Sequence, residues 1–240
     1  MIPKTFNPRK VRPRPKTPEG LDSEGLDPAG RIQWARKNFP NRAVATTSFG
    51  AQSAAFLHLI AKQWPELPVV FIDTGYHFPE TLAFGQQLAQ RLHLNVKIYR
   101  PLLTPREIES RHGKLWEQGP AGLDTFHEII RVEPMRQAFR ELQPELWVAG
   151  LRRSGSDHRQ RQKVLSRQDS RWKLLPVLEW TDRDVGDYLK THLLPYHPLW
   201  EKGYVSIGDR VTTKRLDEVS DPKELRHFGW KRECGLHERV

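Results

Sequence analysis

The sequence predicts an α/β fold, a parallel twisted sheet with helices on both faces. Two observations carry that expectation. Short apolar runs of strand length recur at Arg42–Thr47, Val69–Asp73, Asn95–Tyr99 and Glu145–Gly150. Longer stretches with helical spacing of apolar residues lie between them, at Ser53–Trp64, Pro79–Leu92 and about Ile129–Leu142. Strands separated by helices do not pair as hairpins. They pair in parallel, and the crossover helices cover the sheet.

Taken in order, residues 1–30 are basic and proline-rich (Pro3, Pro8, Pro13, Pro15, Pro18) and show no period. They read as a flexible arm. A globular domain follows from 31 to about 215. Its first strand, Arg42–Thr47, leads to a helix that Pro65 stops, with Ser48 or Ser53 as candidate caps. The second strand is bounded by Pro68 and Gly75. The next helix opens on Pro79, a permitted first-turn position. Lys173–Pro176 begins a fifth strand, and Asp182–Thr191 forms a late helix. Residues 216–240 form a C-terminal tail.

Composition narrows the class. The chain has 240 residues, one cysteine and a formal net charge of +10. No apolar run reaches 18 residues and the N-terminus has no apolar segment, so neither a membrane span nor a secretory signal is expected. With a single thiol, these features point to the reducing cytoplasm. The positive charge calls for an anionic partner: a nucleotide, a sulfate ester, an acidic protein or nucleic acid. No metal site is expected, because the histidines are scattered and HExxH is missing. GxSxG and the Walker A pattern are also missing.

In a parallel α/β sheet, ligands bind beyond the carboxyl ends of the strands. Three polar segments follow strands and should converge there. Thr46-Thr47-Ser48-Phe49-Gly50-Ala51-Gln52-Ser53 offers hydroxyls, backbone N–H groups and a helix N-terminus to an anion. It also reads as a plain capping turn. Asp73-Thr74-Gly75-Tyr76-His77-Phe78-Pro79-Glu80-Thr81 places an acid at a strand end, where it can meet a ribose hydroxyl or orient a basic group. Gly150-Leu151-Arg152-Arg153 places two arginines, suited to bidentate phosphate binding, after a buried strand. The lone thiol, Cys234, lies among Lys231, Arg232 and His237, whose positive charge favours a reactive thiolate. The other reading is a buried, idle cysteine.

Together these segments resemble the assimilatory, thioredoxin-dependent phosphoadenosine phosphosulfate (PAPS) reductases. The resemblance runs from about Val44 to the C-terminus. It rests on Ser48-Phe49-Gly50, on Asp73 to Thr81, on Gly113-Lys114-Leu115-Trp116-Glu117-Gln118-Gly119 and on Val132-Glu133-Pro134. It continues through Gly150-Leu151-Arg152-Arg153 and Tyr196-His197-Pro198-Leu199-Trp200 to Arg232-Glu233-Cys234-Gly235-Leu236-His237. The resemblance implies an adenine nucleotide alpha hydrolase-like (modified ATP-pyrophosphatase) fold in residues 31–215. It implies substrate binding by Thr46, Ser48, Gly50, Asp73, Gly75, Arg131, Arg152 and Arg153, with Arg232 and His237 closing from the tail. Cys234 would be the nucleophile, thioredoxin (or glutaredoxin) the electron donor, and the protein a homodimer.

Relatives that use adenylyl sulfate (APS) hold a four-iron cluster on paired cysteines. Here the corresponding stretches are near Phe126-His127 and at Ser206–Thr213, where Asp209 and Thr212 stand in ligand-like positions. Neither residue replaces a thiolate. No cluster is therefore expected, and PAPS is favoured over APS. The stretch 154–159 departs from the family pattern, which keeps a cluster-free APS reductase as the alternative. An RNA-modifying pyrophosphatase-fold protein is a third reading. Its loop would carry a lysine that Ser48–Ser53 lacks.

Overall fold

The computed structural model describes residues 25–155, 157–231 and 235–236. Its centre is a six-stranded sheet of order β3-β2-β1-β4-β6-β5. The strands are β1 (Ala43–Thr47), β2 (Pro68–Ile72), β3 (Asn95–Tyr99), β4 (Leu146–Ala149), β5 (Leu165–Gln168) and β6 (Arg171–Leu174). All neighbours run parallel except β5 and β6, which form an antiparallel hairpin at one end. Helices α1 (Pro28–Asn38), α2 (Ser53–Gln63), α3 (Pro79–Leu92), α6 (Glu133–Leu142) and α7 (Asp182–Thr191) cover the sheet, and α4 (Pro105–His112) and α5 (Gly119–His127) lie beside it. The expected fold class holds.

The inner strands β1 and β4 are apolar because both their faces are covered. Val44, Ala45, Leu146, Trp147 and Val148 are all buried. Each large apolar side chain so buried contributes roughly 1.5–3 kcal/mol. β3, at the sheet's end, keeps Ile98 exposed. A second, aromatic core lies beside the sheet and joins α4 and α5 to the loop after β2. Within it the Phe126 ring meets Tyr76 at 5.0 Å and Trp116 at 5.3 Å, both edge-on.

The helical segment expected near 129–142 is broken. Residues Glu128–Val132 form a π-helical turn between α5 and α6, closed by Glu133 N–H donating to the Glu128 carbonyl. Pro134 accounts for it. Proline has no N–H for the Ile130 carbonyl, and its ring would strike that carbonyl in a continuous α-helix. The extra residue turns Arg131 inward.

Three further elements differ from expectation. α1 begins at Pro28, inside the segment read as an arm, because Asp27 caps it by accepting from Gly30 N–H at 2.7 Å. The fifth strand in the sheet's parallel set begins at Arg171 and pairs with β5, a strand that apolar spacing does not announce. Charges conceal the hairpin: in β5 Arg167 lies over the Trp172 ring, and in β6 Arg171 lies over the Phe139 ring and Lys173 over the Trp147 ring, so cations occupy positions that a hydropathy pattern reads as solvent. The stretch after 215 also packs on the domain. Leu216 N–H donates to the Gly203 carbonyl at 2.9 Å, and Leu225 is buried.

Among the described residues four histidines are buried: His77, His127, His197 and His227. His197 must be neutral. Its Nδ1 accepts from Leu199 N–H at 3.1 Å while Nε2 faces Thr81 Oγ1 at 3.0 Å. Burial pushes His197 down to about 4. Burial, then the nearby Arg131 charge, pushes His127 down to about 3. The unfolded chain takes up protons on these rings below about pH 6.5, and the folded protein refuses them until pH 4 to 3. Stability should therefore be level above pH 7 and fall on acidification, by about 1 kcal/mol per pH unit for each such histidine. Urea unfolding at pH 7.5 and pH 5 measures this. Equal unfolding free energies would contradict the neutral buried imidazoles.

Candidate active site

The carboxyl ends of the strands face a cavity of about 650 Å³. The β1–α2 loop, residues 48–52, forms one wall. Phe49 takes a left-handed conformation (φ 46°), its N–H donates to Thr47 Oγ1 at 3.0 Å, and its ring packs edge-on against Phe71. The aromatic ring anchors the loop from beneath while Ser48, Gly50 and Gln52 line the cavity. The cap of α2 falls at Gln52, without a side-chain bond, rather than at either serine. Ser53 Oγ instead lines the cavity, buried and without a hydrogen-bond partner. An orphaned hydroxyl beside a helix N-terminus fits an anionic oxygen. Thr46, near the end of β1, also lines the cavity.

β4 supplies the opposite wall. A Cβ on Gly150 would lie 2.8 Å from the Phe56 ring, so only glycine lets this strand end close on α2. Arg152 then enters the cavity. Its guanidinium donates to Gln52 Oε1 at 2.6 Å and Asp182 Oδ1 at 2.8 Å, with Ser154 Oγ at 3.2 Å completing the frame. Arg153 turns away. Its N–H donates to the Leu178 carbonyl and its Nη1 to the Gln160 carbonyl, and it does not line the cavity. Arg159 lines it instead.

The back of the cavity is built on an ion pair. Arg131, on the π turn, donates to Asp209 Oδ2 from Nη2 at 2.6 Å and from Nε at 3.2 Å. Thr74 O–H donates to the other oxygen at 2.7 Å. Asp209 is 0 % exposed. Burial alone would favour its neutral form, but the Arg131 guanidinium and the Thr74 hydrogen bond hold its carboxyl well below the usual range. Beside this pair the His127 and His227 rings meet at 4.5 Å. Both are buried, and burial followed by neighbouring arginine charge pushes both pKa values down.

Besides Arg153, two residues expected at the site lie elsewhere. Asp73 accepts from Arg100 Nε at 2.9 Å and from Gly75 N–H at 3.3 Å, and neither Asp73 nor Gly75 lines the cavity. Gly75 has φ 78°, and its turn presses on Pro105 of α4. This segment reaches the site through Thr74. Arg226, His227 and Lys223 do line the cavity, although no sequence motif singles them out. Their one signal in the sequence is their closeness to the cysteine segment. Gly208 makes room for Arg226, since a Cβ there would overlap its guanidinium. Arg232, Cys234 and His237 lie outside the described residues. Just before Arg232, Lys231 pairs with Asp124. Leu236 packs on the main core and lines the cavity. No group of three or more His, Cys, Asp or Glu able to hold a metal ion occurs among the described residues. No helix there is long and apolar enough to cross a membrane.

Sheet order, hydroxyl-rich first loop and arginines at the strand ends define an adenine nucleotide alpha hydrolase-like protein. The fold recurs in FMN adenylyltransferase from Candida glabrata, at TM-score 0.59 and 15% identity, over 89% of this chain and 73% of that one. Residues 42–215 match the phosphoadenosine phosphosulfate reductase domain. The phosphoadenosine 5'-phosphosulfate reductase of Xanthomonas euvesicatoria pv. vesicatoria is 50% identical over 210 residues, 88% of this chain and 87% of that protein. The crystal structure of PAPS reductase from Candida auris, a phosphate complex, superposes at TM-score 0.70 and 30% identity, over 80% of this chain and 93% of that one. The chain belongs to the phosphoadenosine phosphosulfate reductase family.

Removing one member of a buried ion pair strands the other, at a cost of about 3–5 kcal/mol. Asp209→Ala should lose that much in urea unfolding. The double replacement Arg131→Met/Asp209→Leu should be less costly than Asp209→Ala alone. A single mutant with wild-type stability would show that the pair does not organise this region.

Proposed function

We propose that the protein reduces PAPS to sulfite and adenosine 3′,5′-bisphosphate, with thioredoxin as electron donor and Cys234 as nucleophile. The observation that carries the reading is the convergence on one cavity of anion-binding groups and of Leu236, two positions beyond Cys234. Ser53, Thr46 and the α2 N-terminus offer donors to the phosphosulfate. Arg152, Arg159 and Arg226 supply positive charge. Such charge offsets the repulsion between an anionic substrate and a thiolate.

In this mechanism the Cys234 thiolate attacks the sulfonate sulfur. The bond from that sulfur to the phosphate oxygen breaks, and adenosine 3′,5′-bisphosphate leaves with the electron pair. A thioredoxin thiolate then attacks the Cys234 sulfur of the S-sulfocysteine and expels sulfite. Its second thiol resolves the mixed disulfide and restores the Cys234 thiol. Sulfur is reduced from the sulfate to the sulfite level, and thioredoxin is oxidised to its disulfide. Arg232 and His237 would close on the sulfonate, and glutaredoxin is the alternative electron donor. Homodimerisation and a cytoplasmic site belong to the same reading.

The chemistry at the back of the cavity supports a cluster-free enzyme. A four-iron cluster needs thiolates, whereas Asp209 is committed to Arg131 and Thr74, and Thr212 is buried beside it. These residues do not fit a cluster. A cluster-free site favours PAPS as substrate.

Mixing the protein with PAPS in the absence of reductant should add one SO3 to Cys234 by intact mass. Cys234→Ser should bind the bisphosphate but release no sulfite. Sulfite turnover by that variant would overturn the covalent route. Purified protein should contain no iron, and kcat/KM should be higher for PAPS than for APS. A reversed preference would assign the enzyme to APS.

A further inference from the structure

We propose that Trp147 and Lys173 are positioning residues that set the Thr46 hydroxyl as a donor to the bound anion. The inference rests on the reading that substrate occupies the cavity, and it assigns a part to two residues behind its wall.

The three side chains form a ladder across the sheet. β4 pairs with β1 so that Trp147 lies beside Val44, and with β6 so that Trp147 lies beside Lys173. Thr46 is two residues past Val44, hence on the same face of the sheet. The diagonal contact is made. Trp147 Nε1–H donates to Thr46 Oγ1 at 2.8 Å. Lys173 Nζ lies 4.6 Å from the centre of the Trp147 ring and donates to Gln168 Oε1 at 3.0 Å. Both residues are buried, Trp147 at 1 % exposure and Lys173 at 2 %. The Phe139 ring packs edge-on against Trp147 and fixes its plane.

An indole N–H only donates. Trp147 therefore occupies an acceptor lone pair of Thr46, and the hydroxyl proton stays available. Nothing among the described residues accepts that proton, and Thr46 lines the cavity. A free threonine hydroxyl can serve as acceptor or donor. Phosphate and sulfate oxygens at neutral pH need donors, so holding Thr46 in the donating state removes the wrong alternative before binding. The ammonium over the indole face strengthens the arrangement. It draws density from the ring, sharpens the N–H as a donor, and polarises the hydroxyl beyond it. A lysine in the sheet interior also brings positive charge beneath an anion loop without exposing it to solvent.

A purely structural account is that the indole N–H simply needs an acceptor because it is buried. A mutant cycle in bisphosphate affinity separates the two. Dissociation constants for adenosine 3′,5′-bisphosphate are measured for the wild type, Trp147→Phe, Thr46→Val and the double variant, with a melting curve for each. Trp147→Phe should bind about 3–10-fold more weakly, Thr46→Val at least as weakly, and the double variant no more weakly than Thr46→Val. Thr46→Ser should restore wild-type affinity. Wild-type affinity in Trp147→Phe, or two effects that multiply in the double variant, would overturn the proposal. If Trp147→Phe fails to fold, a benzothienyl-alanine at 147 keeps the ring's shape without the N–H and carries the same comparison. Sulfite release is followed in the same preparations. Wild-type protein that binds the bisphosphate but releases no sulfite would count against the reaction alone, because the affinities of the cycle do not depend on turnover.

Discussion

The pairing of Arg131 with Asp209 ties together parts of the chain that lie far apart in sequence, beside the Arg210 N–H that donates to the Tyr76 carbonyl at 2.8 Å. Arg131 comes from the π turn between α5 and α6, Asp209 from the segment that leads toward the tail, and Thr74 from the loop after β2. Two full charges are brought out of water, which is favourable only when geometry and further hydrogen bonds satisfy both. Here two guanidinium nitrogens meet one oxygen and a threonine hydroxyl meets the other. The demand for complete satisfaction fixes the relative positions of all three segments. Arg226 and His227 follow Asp209 by fewer than twenty residues, so their entry into the cavity depends on where that carboxylate is held.

The rest of the site follows from the sheet. Parallel strands end together, so loops distant in sequence open on one edge. Each loop is then aimed by a buried feature. The Phe49 ring holds the first loop down, Gly150 allows β4 to close on α2, and Asp182 with Gln52 frames Arg152. Donors and cations face the cavity among apolar side chains, and Asp182 brings a carboxylate into the same lining. The carboxylates nearby, Asp182 and Asp209, are each spoken for by an arginine.

Period and breakers made much of this legible in the sequence. β1 to β4, α2, α3 and α7 lie where apolar spacing, Pro65, Pro79 and Gly75 put them. Thr46, Ser48, Gly50, Arg131 and Arg152 do line one cavity. What could not be read has physical causes. The β5–β6 hairpin carries its cations over aromatic rings, and most of those rings are contributed by other elements. Asp73 sits at a strand end, where a ligand group is expected, but its partner Arg100 comes from the end of the neighbouring strand. Arg153 differs from Arg152 only in direction, and the Leu178 carbonyl decides that direction. Tertiary partners settle these cases, and local spacing carries no trace of them.

The π turn at Glu128–Val132 has a consequence for how this site can change. An α-helix advances about 100° per residue. Deleting one residue from the turn would let the helix re-zip and would rotate everything on one side of the deletion by that angle relative to the other. Phe126 and His127 would leave their core, or Arg131 would leave Asp209. Pro134 makes the bulged phase the comfortable one, so replacing the proline alone would remove the penalty against re-zipping without moving a residue. An insertion or deletion of one codon here acts as a rotary step on the binding wall, a change that no series of point substitutions reproduces.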